Sequence, residues 1–275
     1  LAFLKLITVL AGLVVVVGLA VFVLDNPTHL LPGAEQKALK QADDLLTQGK
    51  PARARQAYEE FIRLNPDSDL LPQALFQLAS VDHLHLHQYE RALAAYRHLV
   101  NLFPASDQAA QALERMADLY LSTLKDYPLA VEILEELKST YAGSTGKGHL
   151  YQDRIAYALF MMEDYPLARQ AYQALIREYP SSDLVEPSLV RIADTYYVED
   201  NLAQALEAYR EAEKKVGSVS LKTRIRFRIA NCLEESGRLK EALGLYKELL
   251  ETYDNPGAVR IRLEALEKRL KKGAK

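Results

Sequence analysis

Tyr165-Pro166-Leu167-Ala168-Arg169-Gln170-Ala171-Tyr172-Gln173-Ala174-Leu175-Ile176-Arg177-Glu178-Tyr179-Pro180-Ser181-Ser182-Asp183 is the stretch that this chain repeats, with variations, from about Gln36 onward. Its first alanine recurs as Ala54, Ala92, Ala130, Ala168, Ala205 and Ala242, at intervals of 38, 38, 38, 37 and 37 residues. Four residues after each stand Tyr58, Tyr96, Leu134, Tyr172, Tyr209 and Tyr246, so an aromatic fills five of six slots. Twelve residues after come Pro66, Pro104, Ala142, Pro180, Gly217 and Asp254, which mostly end helices or favour turns. A second small residue lies upstream, as Ala42, Ala79, Ala117, Ala156, Ala193 and Ala230. It precedes the first by 12 residues in repeats one, four, five and six, and by 13 in repeats two and three.

Residues four apart share a helix face, so Ala168 and Tyr172 point the same way. The alanine lets two backbones approach and the tyrosine fills the space beside them. The pattern predicts one helix hairpin per repeat and an all-α chain, with Tyr172 as a core knob. A single hairpin cannot bury its apolar face, so six are expected to stack as an α-solenoid over residues 36–256.

The signature resembles the tetratricopeptide repeat, in which a small residue, a tyrosine, a glycine, an alanine, an aromatic and a proline recur in order. Repeat five carries it in Ala193, Tyr196, Ala205, Tyr209 and Ala212, with Asp200 in the glycine slot and Gly217 in the proline slot. Gly49 and Gly237 keep the inter-helix glycine in repeats one and six. The period departs from the usual repeat of about 34 residues, and the added residues fall mostly in the connector. There the chain reads Asn65-Pro66-Asp67-Ser68-Asp69, Phe103-Pro104-Ala105-Ser106-Asp107 and Tyr179-Pro180-Ser181-Ser182-Asp183. Proline is expected to stop one helix, and serine or aspartate to cap the next. Long repeats with such a connector are similar to those of bacterial cell-envelope proteins: the barrel-assembly lipoprotein, the Tol-Pal-associated periplasmic protein and a translocon-ancillary repeat protein. The resemblance implies a right-handed superhelix that binds proteins in its concave groove and has no catalytic role.

Leu6 to Leu24 is a run of 19 residues without a charge. At ~1.5 Å rise per residue it spans a hydrocarbon core of about 30 Å, which predicts a transmembrane anchor over residues 1–24. Asn26-Pro27-Thr28 and Pro32-Gly33 break helices, so residues 25–35 read as a short juncture. Lys5 precedes the span and Asp25 follows it; the positive-inside rule then places the repeats outside the cytoplasm, in the periplasm at a bacterial inner membrane. Beyond the last repeat, Val259, Leu263, Leu266 and Leu270 form the apolar stripe of a capping helix within residues 257–275, which ends in a basic tail.

A formal charge of −3 gives no basic footprint for nucleic acid. Ala142-Gly143-Ser144-Thr145-Gly146-Lys147-Gly148 imitates a phosphate-binding loop but has the wrong spacing and no preceding strand, and reads as a flexible connector. His83 and His87, four apart, read as a polar helix end, because no carboxylate or cysteine joins them at metal-ligand spacing. Cys232 reads as a small buried filler. No nucleophile, base and orienting group fall together, so neither catalysis, a cofactor, a metal nor a small-molecule substrate is expected.

A groove lined by first helices remains. The residues just after each upstream alanine, and those three further on, give a polar ladder beside a partly aromatic one. Asp118, Tyr157, Phe160, Asp194, Tyr197 and Asn231 are the candidate protein-binding residues. The expected function is a membrane-anchored scaffold or adaptor that binds membrane-associated proteins in envelope biogenesis. The alternative is a permanent, non-catalytic accessory subunit of a large membrane enzyme or secretion complex.

Overall fold

A computed structural model describes residues 33–273. The described residues contain no strand and form thirteen α-helices: α1 (Ala34–Thr47), α2 (Pro51–Leu64), α3 (Leu71–Leu84), α4 (Tyr89–Leu102), α5 (Asp107–Asp118), α6 (Tyr127–Thr145), α7 (Gly148–Met161), α8 (Tyr165–Glu178), α9 (Val185–Val198), α10 (Leu202–Lys215), α11 (Val219–Glu235), α12 (Leu239–Leu249) and α13 (Pro256–Gly273). The chain divides into two compact units between Leu119 and Tyr120, the first holding α1–α5 and the second α6–α13. Within each unit every helix packs on the next. The division falls inside repeat three, whose alanines Ala117 and Ala130 lie on α5 and α6. The predicted anchor at residues 1–24 lies outside the described residues, among which no helix is long and apolar enough to cross a membrane.

The small-and-large interlock is present throughout. All twelve repeat alanines have zero solvent exposure, and so do Tyr58, Tyr96, Leu134, Tyr172, Tyr209 and Tyr246. Successive hairpins are also latched by polar side chains. Arg55 on α2 donates to the buried Asp82 on α3 at 2.8 Å. Arg169 on α8 donates to Thr195 on α9 at 3.2 Å and covers the ring of Tyr196 at 4.3 Å.

Each hairpin turns on a single left-handed residue, five positions before its second alanine. These are Gly49 (φ 69°), His87 (53°), Lys125 (55°), Glu163 (61°), Asp200 (59°) and Gly237 (80°). In repeat four the Glu163 N–H donates to Phe160 O at 3.0 Å and the Asp164 N–H to Leu159 O at 3.1 Å, which satisfies the last carbonyls of α7. The longer repeats absorb their extra residue in two ways. Repeat two widens the turn, closed by Gln88 N–H to Asp82 O at 2.8 Å. Repeat three inserts a π-helical turn, Leu119–Leu124, closed by Asp126 N–H to Tyr120 O at 2.9 Å.

A side chain in this conformation costs roughly 1–2 kcal/mol, which exceeds the backbone entropy lost with a glycine. Glu163→Gly is therefore expected to stabilise the chain by up to about 1 kcal/mol, and Gly49→Ala to destabilise it by about 1 kcal/mol. Urea unfolding midpoints check both; a lower midpoint for Glu163→Gly would refute the reading of the turn.

The connectors depart from expectation twice. Ser106 caps α5, accepting from Ala109 N–H at 3.2 Å, but Ser68 and Ser182 do not cap α3 and α9. Those helices start three residues after the serine instead of one, so each hydroxyl accepts from the N–H two residues on, Leu70 and Leu184, at 3.1 Å. The flexible connector expected at 142–148 is also corrected. Lacking a proline at Ala142, α6 continues to Thr145 and stops at Gly146 (φ 66°), and α7 begins at Gly148. A Cβ on Gly148 would stand 2.4 Å from the Tyr179 hydroxyl, so this glycine allows a close approach.

The last helix closes the second unit. Val259 and Leu266 of α13 are fully buried against Tyr246 and Leu249, with Leu263 and Leu270 partly covered. Glu234 on α11, with its side chain 8% exposed, accepts from the Tyr246 hydroxyl at 3.0 Å and pairs with Arg269 at 3.1 Å and Arg262 at 3.8 Å, both on α13. Cys232 is buried in the same cluster, where burial pushes its thiol up to about 12.

Candidate protein-binding face

A buried tyrosine hydroxyl needs an oxygen to donate to, because an unmet donor in a dry interior costs about 1–3 kcal/mol. In four repeats the chain supplies that partner from the residue just after the upstream alanine. Tyr58 donates to Asp43 and Tyr209 to Asp194. Tyr246 donates to Asn231 at 2.7 Å, and the hydroxyls of Tyr96 and Ser80 meet at 3.1 Å. Repeat three has Leu134 as its knob and needs no acceptor. Burial raises the pKa of Tyr58, Tyr96, Tyr209 and Tyr246, so all four remain protonated donors.

Repeat four breaks the pattern. Its knob is Tyr172, but the partner position holds Tyr157, whose ring places no oxygen near its own backbone. The Tyr172 hydroxyl is buried with no acceptor for its proton among the described residues; burial raises its pKa, and the Arg191 guanidinium beside it pulls it back. Tyr157 is instead 37% exposed, and on its helix Leu150 and Met161 are exposed as well. These three stand seven and four residues apart, on one face of α7. Val198 on α9, the counterpart of Met161 in the next repeat, is also exposed.

In repeats four and five an arginine from the following first helix accompanies the tyrosine knob. Arg228 lies 34 residues after Asp194 and pairs with it at 3.2 Å. Arg191 lies 34 residues after Tyr157, and its charge acts on the Tyr172 hydroxyl and on Asp153. Burial raises the pKa of the nearby Asp153 carboxyl, and the charge of Arg191 pulls it back.

The six candidate residues therefore differ in their surroundings. Asp194 and Asn231 are committed to core hydroxyls. Tyr197 donates to Glu235 at 2.5 Å; burial, with that bond, pushes its phenol up to about 12. Phe160 is half-buried, its ring edge-on to Tyr165 at 5.4 Å. Asp118 ends α5 in the first unit, where its charge acts on His83. Tyr157 presents its ring outward. His83 and His87 are not on one helix turn, since α3 ends at Leu84 and His87 forms the left-handed turn. Arg191 and the Tyr172 hydroxyl without an acceptor were missed from the sequence. Comparing each tyrosine knob with the residue just after its upstream alanine, 15 or 16 positions before it, would have found the exception, because only repeat four places an aromatic there.

Two family models, both described as Tetratricopeptide repeat, match the chain, one over residues 39–81 and 190–257 and the other over 111–144 and 152–182. No curated protein matches it. Among solved structures, Naa15/Naa10 bound to HypK-THB aligns with a TM-score of 0.63 at 16% identity, over 89% of this chain and 35% of that one. The chain thus spans about a third of that protein, and the likeness is one of fold. MamA from Desulfovibrio magneticus RS-1 aligns at 18% identity and a TM-score of 0.46, over 67% of this chain and 97% of that one. Pseudomonas aeruginosa pilF aligns at 15% identity and a TM-score of 0.45, over 83% and 97%.

Proposed function

The chain belongs to the tetratricopeptide repeat family, and we propose that it is a scaffold or adaptor in the cell envelope, held at a membrane by residues 1–24 with its repeats in the periplasm. Tetratricopeptide repeat proteins mediate protein–protein interaction, and this one carries no chemistry of its own in the proposal. The observation that supports a docking role is the exposed apolar face of Leu150, Tyr157 and Met161 on α7. In a helix whose other apolar residues are spent on packing, an exposed aromatic between two large aliphatic side chains is the composition of an interface anchor. The membrane half of the proposal rests on the 19 uncharged residues from Leu6 to Leu24.

Fractionation of cells expressing the full chain tests both halves. The chain is expected in the membrane pellet after alkaline wash and open to protease added to spheroplasts, and a variant lacking residues 1–24 is expected in the soluble fraction. A full chain that washes off, or resists protease until the inner membrane is broken, would overturn the anchor or its orientation. Crosslinking of the full chain in mild-detergent membranes tests the docking face: Tyr157→Ala is expected to lose the crosslinked protein bands while the fold holds.

A further inference from the structure

The hairpin turns of repeats three and four differ from the others in what they leave exposed. Two positions flank each turn, one residue before the left-handed residue and four after it. They hold Gln48 and Arg53 in repeat one, Leu86 and Arg91 in repeat two, Glu199 and Gln204 in repeat five, and Ser236 and Glu241 in repeat six. In repeats three and four both are large and apolar, Leu124 with Leu129 and Met162 with Leu167, and all four side chains are exposed. Asp126 and Asp164 accept from the Leu129 and Leu167 N–H groups at 3.2 Å, which fixes both leucines in the first turn of α6 and α8, beside the bend. Met161 and Val198, two residues before the left-handed tips of repeats four and five, are exposed as well. All six lie in the second unit, where α6 packs on α7 and α7 on α8, so they follow one another along its turn edge. Repeats one, five and six close the same turn with polar residues at the flanking positions, so the turn does not require leucine or methionine there. An apolar strip left on a polar surface without need marks an interface.

Carboxylates accompany the strip. Glu163 and Asp200 stand exposed at the left-handed tips of repeats four and five, and Asp126, Asp164 and Glu199 each lie one residue from a tip. Glu199 pairs with Arg169, and Lys125 is the cation at the tip of repeat three. We propose that this turn edge docks a basic protein segment, in which large apolar side chains stand beside Lys or Arg. The apolar side chains pack on Leu129, Met162 and Leu167, and the cations lie over Glu163 and Asp200. Charge complementarity selects that occupant. An anionic lipid surface is repelled by the same carboxylates. A second copy docked about a two-fold axis would set the acidic tips of one strip against those of the other. Such docking rests on the protein-binding reading above and adds a second surface to it. Leu150 and Tyr157 lie further back along α7, whereas the strip takes the turn ends of both helices of a hairpin.

The test uses the full chain in mild detergent and a library of short random peptides displayed within a loop. Peptides are selected on the native chain and counter-selected on the double variant Leu129→Arg, Leu167→Gln, which gives each position the residue of a neighbouring repeat, as at Arg91 and Gln204. Recovered peptides are synthesised with blocked ends and measured by fluorescence anisotropy. They are expected to carry Lys or Arg beside large apolar residues, to bind Tyr157→Ala as tightly as the native chain, and to weaken as salt is raised. The double variant Glu163→Lys, Asp200→Lys, which copies the tip residue Lys125, is expected to weaken them about tenfold. Both double variants are expected to keep the native thermal midpoint, because all four side chains are exposed. Recovered peptides without a cation, or equal affinity for Glu163→Lys, Asp200→Lys, would overturn the basic partner. Loss of binding on Tyr157→Ala would overturn the separate surface and leave the docking face on α7 standing. A native chain that sediments as a dimer, and as a monomer with Leu129→Arg and Leu167→Gln, would overturn the partner in favour of a second copy. A lowered midpoint for that variant would overturn the reading of the two leucines as unneeded by the fold. No peptide surviving counter-selection would overturn the strip, while crosslinking of Tyr157→Ala decides the α7 face independently.

Discussion

Tyr172→Ala is expected to destabilise the second unit by about 3–5 kcal/mol, the usual cost of emptying a buried aromatic site. The ring has zero exposure, so its removal leaves a cavity. The hydroxyl adds nothing to that figure. Tyr172→Phe is expected to be neutral or slightly stabilising, because it removes a buried donor that has no acceptor. Tyr209→Phe is expected to cost about 1–3 kcal/mol, since it deletes the bond to Asp194 and leaves that half-buried carboxylate with Arg228 alone. Urea unfolding of the three variants checks the set. Equal costs for Tyr172→Phe and Tyr209→Phe would mean that the Tyr172 hydroxyl has an acceptor, and repeat four would then be no different from its neighbours.

That contrast also shows which features a one-dimensional reading can reach. The period, the paired alanines and the knob positions were legible because they recur along one helix face, at offsets of four and twelve, and every one of them is buried. The partner of each bonded tyrosine knob was not, because it stands 15 or 16 residues away on the other helix of the hairpin and meets the hydroxyl only when the hairpin closes. Asp194 and Asn231 therefore read as polar groups free to bind a ligand, when their oxygens are engaged inside the chain. Repeat three was illegible for another reason. Its extra residue can be accommodated in the turn, as in repeat two, or in the helix, as in the π-helical turn at Leu119–Leu124, and both solutions leave the same alanine spacing. The run of α6 through Thr145 follows from an absence, that of a proline at Ala142, which is easy to mistake for a variation in a loop.

Leu266→Asp carries the second large effect, and it separates the two ways in which the C-terminal helix can matter. Leu266 has no exposure, so an aspartate there must either stay buried and unpaired or take α13 off the last repeat. The second is the cheaper path. α13 is held by Val259, Leu266 and the partly covered Leu263 and Leu270, together with the pairs from Arg262 and Arg269 to Glu234, and all of these face one neighbour. Detachment uncovers Tyr246 and Leu249 and takes Arg262 and Arg269 away from Glu234, so repeat six is expected to lose its structure with the cap. In a stack where each hairpin contacts only the next, that loss should fade over one repeat. Hydrogen exchange followed by peptide mass spectrometry is expected to show α11–α13 losing protection by at least a hundredfold, a local loss of about 3 kcal/mol or more, while α7 and α8 keep theirs. Uniform loss across the second unit would mean that its hairpins unfold as one cooperative block, and the cap would then be a keystone for the docking face on α7 as well as a cover for repeat six.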